Sequence, residues 1–385
     1  MWTRWILLIL AFAFGQTSAR GATLVVAHWP GAELAREAAG LAPPPATGAS
    51  ALKLTFFHRA EHGRREAGSG LAILPEGPVK GIVLFLPGSN FVRARAASQP
   101  DAENGITEAA VFAGQGLAVL IPDYPGLGET LRPQAFTLID VNLAAIRAML
   151  AAARREPALT ALGRPGLPLF VMGFSQGGQL AVALHRDLER RTVAGLDHRA
   201  TVAVAPPLDL AGMLQRRLVA SDAMGRALLA GAVWAHGVAA GQPVETLFAP
   251  PVARRINWWM DGGHDAQETM AAVPETVPAM LDPDFRAAIA RDPGHWFNRS
   301  IARSSRITTR FVPRRPLRLV TGDADPIVEP AAVQPLLDHA RPRGGAVEWV
   351  RVADAGHMGA LRAAYGPALA WFSRLAAAPV RTATP

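Results

Sequence analysis

The stretch "VMGFSQGGQLAVAL", Val171 to Leu184, changes character at one residue. Before Ser175 it is short and apolar, like the end of a buried strand. After Ser175 the apolar residues Leu180, Ala181, Ala183, Leu184 and Leu188 recur at helical spacing. Gly173, Gly177 and Gly178 crowd the junction. A strand that turns at once into a helix must bend very sharply. The bend drives its central residue into a strained backbone conformation and lifts that side chain clear of the sheet. Side chains two positions to either side would collide with the turn, so glycine is required there. The helix also points its free N–H groups and partial positive charge at the same spot. An anion forming on a bound molecule would be stabilised there, which makes Ser175 a candidate nucleophile.

A serine hydroxyl needs a base, and the base needs an acid to hold its tautomer. Ten histidines are present. His357, in "DAGHMG", directly follows the last strand-like segment, where sites form in open α/β sheets. The others fall in early segments, helices, a surface turn or the long insertion described below. For the acid, Asp325 ends the preceding strand in "TGDADPIVEP". Asp209, after "VAPP", and Asp323 are the alternatives, and Asp354 reads as a turn residue. The order Ser175, Asp325, His357 fits an α/β sheet enzyme and differs from two other common orders. "FLPGSN" (Phe85 to Asn90) leaves an earlier strand through Pro87-Gly88. Backbone N–H groups of Ser89 and Gln176 would then converge as an oxyanion hole. Asp123 and Tyr124, in "PDYPGLGET", read as organisers of the neighbouring loop.

Outward from this turn, strands and helices alternate. "GIVLFLPG", "GLAVLIPDYPG", "PLFVMGFS", "RATVAVAPP", "PLRLVTGDAD" and "AVEWVRVADAGH" read as strands. "LIDVNLAAIRAMLAAARR", Gln176 to Arg191, "EPAAVQPLLDHA" and "GALRAAYGPALAWFSRLA" read as helices. Alternation predicts an α/β domain, a mostly parallel central sheet with helices on both faces. It breaks over 209–306, too long for a structureless loop. That segment has helical stretches and four of the nine tryptophans, which predicts an inserted helical cap. Trp258 and Trp259 are candidates for the wall of a substrate pocket. The other reading of the cap tryptophans is that they form the cap's own core. The domain core is then 51–208 and 307–377, with 378–385 as a tail. Residues 23–50, rich in Ala, Pro and Gly, read as a poorly ordered or loosely docked lead-in.

Residues 1–22 read as a signal peptide, with Arg4, the apolar run "WILLILAFAF" and the small residues "TSA". Ten apolar residues are too few to span a bilayer, which takes roughly 20. The expected location is secreted or periplasmic, with no stable membrane span after cleavage; an uncleaved anchor is the alternative. No cysteine is present, which excludes disulfides, a Cys nucleophile and Cys metal ligands. The formal net charge of +8 comes almost wholly from arginine, because Lys53 and Lys80 are the only lysines. The arginines are scattered rather than set in a stripe with aromatics, so nucleic acid is not an expected partner. One histidine among the carboxylates of "DGGHDAQE" (Asp261 to Glu268) is a weak metal signal, and no metal or cofactor is expected.

"LPGSN", "PDYPGLG", "GFSQGG", "TGDADPIV" and "AGHMG", in this order, resemble the α/β-hydrolase superfamily across about Lys53 to Leu375. With "APPLDL" and the long insertion, the chain is most similar to the secretory lipase-like serine esterases. The resemblance implies an α/β-hydrolase fold and places the nucleophile on Ser175, the acid on Asp325 and the base on His357. It places the oxyanion donors on Gln176 and Ser89. Many members carry His-Gly where this chain has Pro87-Gly88; only the side chain differs. The implied activity is hydrolysis of a small-molecule ester or lipid through an acyl-enzyme. Two other readings share the fold. One is a serine aminopeptidase or proline-specific peptidase, for which "DGGHDAQE" and Glu275 would bind an α-amino group. The other is a non-catalytic binding protein.

Overall fold

The structure is a computed structural model that describes residues 23–59, 64–99, 105–219 and 222–378. The expected signal peptide and residues 379–385 of the expected tail lie outside the described residues. Among the described residues, nine strands form one sheet in the order β1-β2-β3-β5-β4-β6-β7-β8-β9. They are β1 (Thr23–Trp29), β2 (Ala49–Arg59), β3 (Arg65–Pro75), β4 (Gly81–Leu86), β5 (Leu117–Pro122), β6 (Leu167–Phe174), β7 (Leu196–Val204), β8 (Leu317–Gly322) and β9 (Val347–Val352). The first three pair antiparallel, and β3 pairs antiparallel with β5. From β5 to β9 all pairings are parallel. Every residue of β4, β5 and β6 is buried. That follows from their unbroken apolar runs, which suit strands covered on both faces.

The lead-in is not loosely docked. Its run "TLVVAHW" is β1, the edge strand, which pairs with β2 from Thr23↔Leu54 to Trp29↔Ala49. Helix α1 (Gly31–Glu37) buries Leu34 fully, and Ala38 beyond it is also buried. The Ala/Pro/Gly count of the whole segment hides a short β-branched strand at its start.

One sheet face packs on α3 (Ile139–Ala153) and α4 (Gln176–Arg190) through residues such as Ile146, Met149, Leu180 and Leu184. The other carries α1 and α2 (Ile106–Val111) through Leu34, Ala110 and Val111. Between β7 and β8 come α5 (Leu210–Arg217), α6 (Ala223–Ala239), α7 (Pro250–Trp259), α8 (Ala266–Ala272), α9 (Val277–Met280), α10 (Pro283–Arg291) and α11 (Trp296–Thr309). These helices share a core of their own, built from residues such as Trp234, Phe248, Ile256, Trp259 and Phe285. Helix α12 (Gln334–Ala340) then returns to the α3–α4 face, and α13 (His357–Ala377) to the α1–α2 face. No described helix is long and apolar enough to cross a membrane.

A buried histidine ties the inserted helices to the sheet domain. His236 on α6 lies with Nε2 3.1 Å from Thr137 Oγ1 and Nδ1 2.7 Å from Ser300 Oγ. Thr137 Oγ1 already donates to the Phe136 carbonyl at 2.7 Å. It therefore accepts from His236, which assigns the imidazole as the neutral Nε2–H tautomer. Burial pushes the His236 pKa down to about 4.

Two outcomes follow from this architecture. Leu34→Ala opens a cavity in the second layer and is expected to cost about 2–5 kcal/mol, read by urea unfolding. A loosely docked lead-in would give a change near zero. The second concerns acid. An unfolded His236 takes up its proton near pH 6.5 and the folded one only near 4, so stability falls as pH drops between those values. His236→Gln is expected to flatten that slope in melting temperatures measured across the same pH range.

Candidate active site

Strand β6 runs directly into α4, and Ser175 is the single residue between them. Its φ of 54° and ψ of −119° lie outside the regions that ordinary side chains favour. Two hydrogen bonds hold this conformation: the Ser175 N–H donates to Val204 O at 2.8 Å, and Ser175 O accepts from the Gln179 N–H at 3.1 Å. The flanking glycines are required by contact. A Cβ on Gly173 would be driven into the Gly177 carbonyl, and one on Gly177 into the Leu86 carbonyl of β4. The turn thus closes only where α4 touches the backbone of two strands.

The structure brings Asp325 and His357 together. Asp325 lies just beyond β8 with its side chain fully buried, and His357 opens α13 after β9. His357 Nδ1 stands 2.7 Å from Asp325 Oδ2. Asp325 Oδ1 accepts from the Ile327 and Val328 N–H groups at 2.8 and 3.0 Å. The Phe174 ring packs on the imidazole, with centroids 4.7 Å apart. The alternative acids are engaged elsewhere. Asp209 caps α5 by accepting from the Gly212 N–H, and Asp323 pairs with Arg351 at 2.8 Å. Asp354 sits in a turn with φ 56°.

Ser175 and His357 border one cavity of about 250 Å³ together with Ser89 and Gln176. Gln176 is the first residue of α4, so its N–H has no partner within its own helix. Ser89 lies on the loop after β4, and that loop is anchored from below. The buried Tyr124 hydroxyl donates to Pro87 O at 2.8 Å. Burial holds the Tyr124 phenol well above its usual pKa, so it stays a donor. Its neighbour Asp123 is also buried, which raises its carboxyl pKa; the Ser69 and Ser98 hydroxyls donate to it at 2.5 Å and oppose that rise.

Most of the remaining cavity wall is apolar, although Thr137, Gln179 and Arg217 also border it. Phe91 and Phe136 come from core loops, Met213 and Leu214 from α5, and Met224, Leu228 and Ala232 from α6. Trp258 and Trp259 do not border it. Trp259 is 2% exposed inside the cap core, whereas Trp258 is 52% exposed and packs on His264. Adjacent helical residues point about 100° apart, so a Trp-Trp pair on α7 cannot share one face. The sequence signal that does mark the wall is the spacing 224, 228, 232 on α6, an i, i+4, i+8 stripe.

The "DGGHDAQE" carboxylates serve local structure. Asp265 and Glu268 form a capping box on α8, and Asp261 accepts from the Gly263 N–H and lies 3.2 Å from His264 Nδ1. Neither these carboxylates nor Glu275 borders the cavity beside Ser175.

Comparison with known proteins agrees with this architecture. The overall fold is similar to a candidate hydrolase from Legionella pneumophila at 20% identity, with a TM-score of 0.83 over 94% of this chain and 99% of that one. It is similar to the rice cell wall degrading esterase LipA from Xanthomonas oryzae at 18% identity, with a TM-score of 0.76 over 93% and 96% of the two chains. Candida antarctica lipase A in its closed state aligns at 13% identity, with a TM-score of 0.63 over 88% and 77%. At these identities the likeness concerns the fold alone. No curated protein sequence matches the chain. Residues 83–365 match the sequence profile of the alpha/beta hydrolase family, and the chain belongs to that family.

Proposed function

We propose that this hydrolase is an exported serine esterase that cleaves carboxylic esters of small or lipid-like molecules through an acyl-enzyme. The observation that carries the proposal is the 2.7 Å contact between His357 and a buried Asp325, with His357 and Ser175 on one apolar cavity. Ser175 Oγ attacks the ester carbonyl carbon, and His357 Nε2 takes the hydroxyl proton. Asp325 holds Nδ1–H and balances the imidazolium charge. The oxyanion that forms on the carbonyl oxygen is stabilised by the Gln176 and Ser89 N–H groups and by the N-terminus of α4. His357 returns its proton to the leaving alkoxide. Water then repeats the sequence on the acyl-enzyme, which releases the acid and frees Ser175.

The size of the cavity supports a small substrate. About 250 Å³ lies just under the roughly 300–1,000 Å³ of drug-sized pockets, which suits a short or medium acyl or alcohol group. The carboxylates that would bind an α-amino group in a peptidase lie outside this cavity, and two of them, Asp265 and Glu268, are occupied in a helix cap. Export rests on the n-region, h-region and small residues of 1–22.

A fluorophosphonate probe should label the protein and fail to label Ser175→Ala. Ser175→Ala and His357→Ala should each lower kcat on a p-nitrophenyl ester by on the order of 10⁴ or more, and the double variant little further. Equal labelling of Ser175→Ala, or no labelling of the native chain, refutes the assignment. Faster turnover of aminoacyl-nitroanilides than of acyl esters would move the reading to a peptidase.

A further inference from the structure

Helix α5 ends where the acid begins to be held. Its last residue, Arg217, donates from Nη2 to the Ile327 carbonyl at 2.7 Å. That carbonyl belongs to the same peptide unit as the Val328 N–H, which donates to Asp325 Oδ1 at 3.0 Å. A peptide unit is planar, so fixing its carbonyl fixes the direction of its N–H. A cation on the carbonyl also polarises the unit and strengthens the N–H as a donor. The chain of contacts runs from Arg217, through one peptide, to Asp325, and on to His357 Nδ1 at 2.7 Å. It starts on the cap and ends on the imidazole.

Further contacts hold α5 against this loop. Met213 packs with Val328 and Ala332, and the Asp209 N–H donates to Ala332 O at 3.1 Å. Arg216 pairs with Glu329 at 3.2 Å in an exposed position. Arg217 differs from Arg216 because it also borders the cavity beside Ser175. Burial lowers its pKa from the ordinary arginine value, while Asp222 and Glu329 favour its charge and Arg216 opposes it. A guanidinium stays protonated throughout the working range.

We infer that Arg217 is a positioning residue: through the Ile327–Val328 peptide it aims the N–H that orients Asp325, and so couples docking of the cap helix α5 to the geometry of the acid and base. The inference rests on the reading of Ser175, His357 and Asp325 as the reacting set. With Arg217 removed, that peptide is free to rotate. Asp325 keeps the Ile327 N–H but loses a fixed second donor, and its hold on His357 loosens. Displacements of this size cost rate without removing any reacting group.

The test is a double-mutant cycle on the full chain with a p-nitrophenyl ester, using Arg217→Met, Asp325→Ala and both together. Methionine keeps an unbranched apolar stem against the cavity wall. Arg217→Met should lower kcat by about tenfold or more at nearly unchanged KM. In the Asp325→Ala background the same change should cost almost nothing, because the acceptor it acts through is gone. Arg217→Lys, which restores a charged donor to the carbonyl, should recover most of the loss. Arg216→Ala should stay within about twofold of the native rate. Four results overturn the inference: a loss confined to KM, equal losses in both Asp325 backgrounds, no recovery with lysine, or an equal loss in Arg216→Ala. Should Arg217→Met melt far below the native chain, Arg217→Gln replaces it in the cycle. Fluorophosphonate labelling of the native chain separates these results from failure of the underlying assignment. Where the native chain labels through Ser175, the cycle alone decides the role of Arg217.

Discussion

The site depends on how closely α4 approaches the sheet. A single Cβ at Gly177 would fill the space now taken by the Leu86 carbonyl. That space lets the helix start one residue after β6 ends. The strained Ser175 backbone, at φ 54° and ψ −119°, costs of order 1–3 kcal/mol. It persists because everything around it is fixed: β4 and β7 flank β6, and the Ser175 N–H is committed to Val204 O. Moving α4 outward by the width of a methyl group would relax the strain. It would also withdraw the Gln176 N–H and the helix N-terminus from the place where they border the cavity.

The second half of the site is set by parallel pairing. β8 and β9 run side by side in register, from Leu317↔Val347 to Gly322↔Val352. Their carboxyl ends therefore deliver Asp325 and His357 to the same edge as Ser175. Once there, Asp325 has both oxygens occupied: Oδ1 takes two backbone N–H groups and Oδ2 faces His357. A buried carboxylate with this many donors is held in one orientation, and its desolvation is compensated. Asp323, directly after β8, and Asp209, after β7, have surface or helix-cap partners instead, so position near a strand end does not by itself select the acid.

How much is legible in the sequence follows from the kind of signal. The buried strands read clearly because both faces are covered, so their apolar runs are unbroken. The turn at Ser175 reads clearly because only glycine tolerates the backbone contacts there. The start of the domain misleads because composition averages over "TLVVAHW" and the Ala/Pro-rich stretch after it. Strand β1 is an edge, half exposed, with Leu24 and Val25 facing solvent, so it shows no strong periodicity. The tryptophans mislead for a different reason. Residue type indicates that a side chain seeks burial, but not against what. Trp234 finds a partner for its indole N–H in Asn257 at 2.8 Å, inside the cap. The Arg217 contact has no sequence signature, since its acceptor is a backbone carbonyl 110 residues away.

A cavity built this way shapes what any reaction in it can achieve. Its walls are mostly phenylalanine, methionine, leucine and alanine, with Thr137, Gln179 and Arg217 among them, so the effective dielectric near Ser175 is lower than in water. N–H groups aimed at a developing oxyanion would therefore be stronger there than in an open cleft. The same walls limit selectivity. Apolar surface rewards contact by about 0.8 kcal/mol per buried CH₂ and has no sharp means of rejecting a slightly shorter chain. Three methionines, Met213, Met224 and Met358, line it and adapt readily to different shapes. The physics of the pocket thus favours graded preference among related apolar substrates over strict choice of one, with the precision of the site concentrated in the few polar groups beside Ser175.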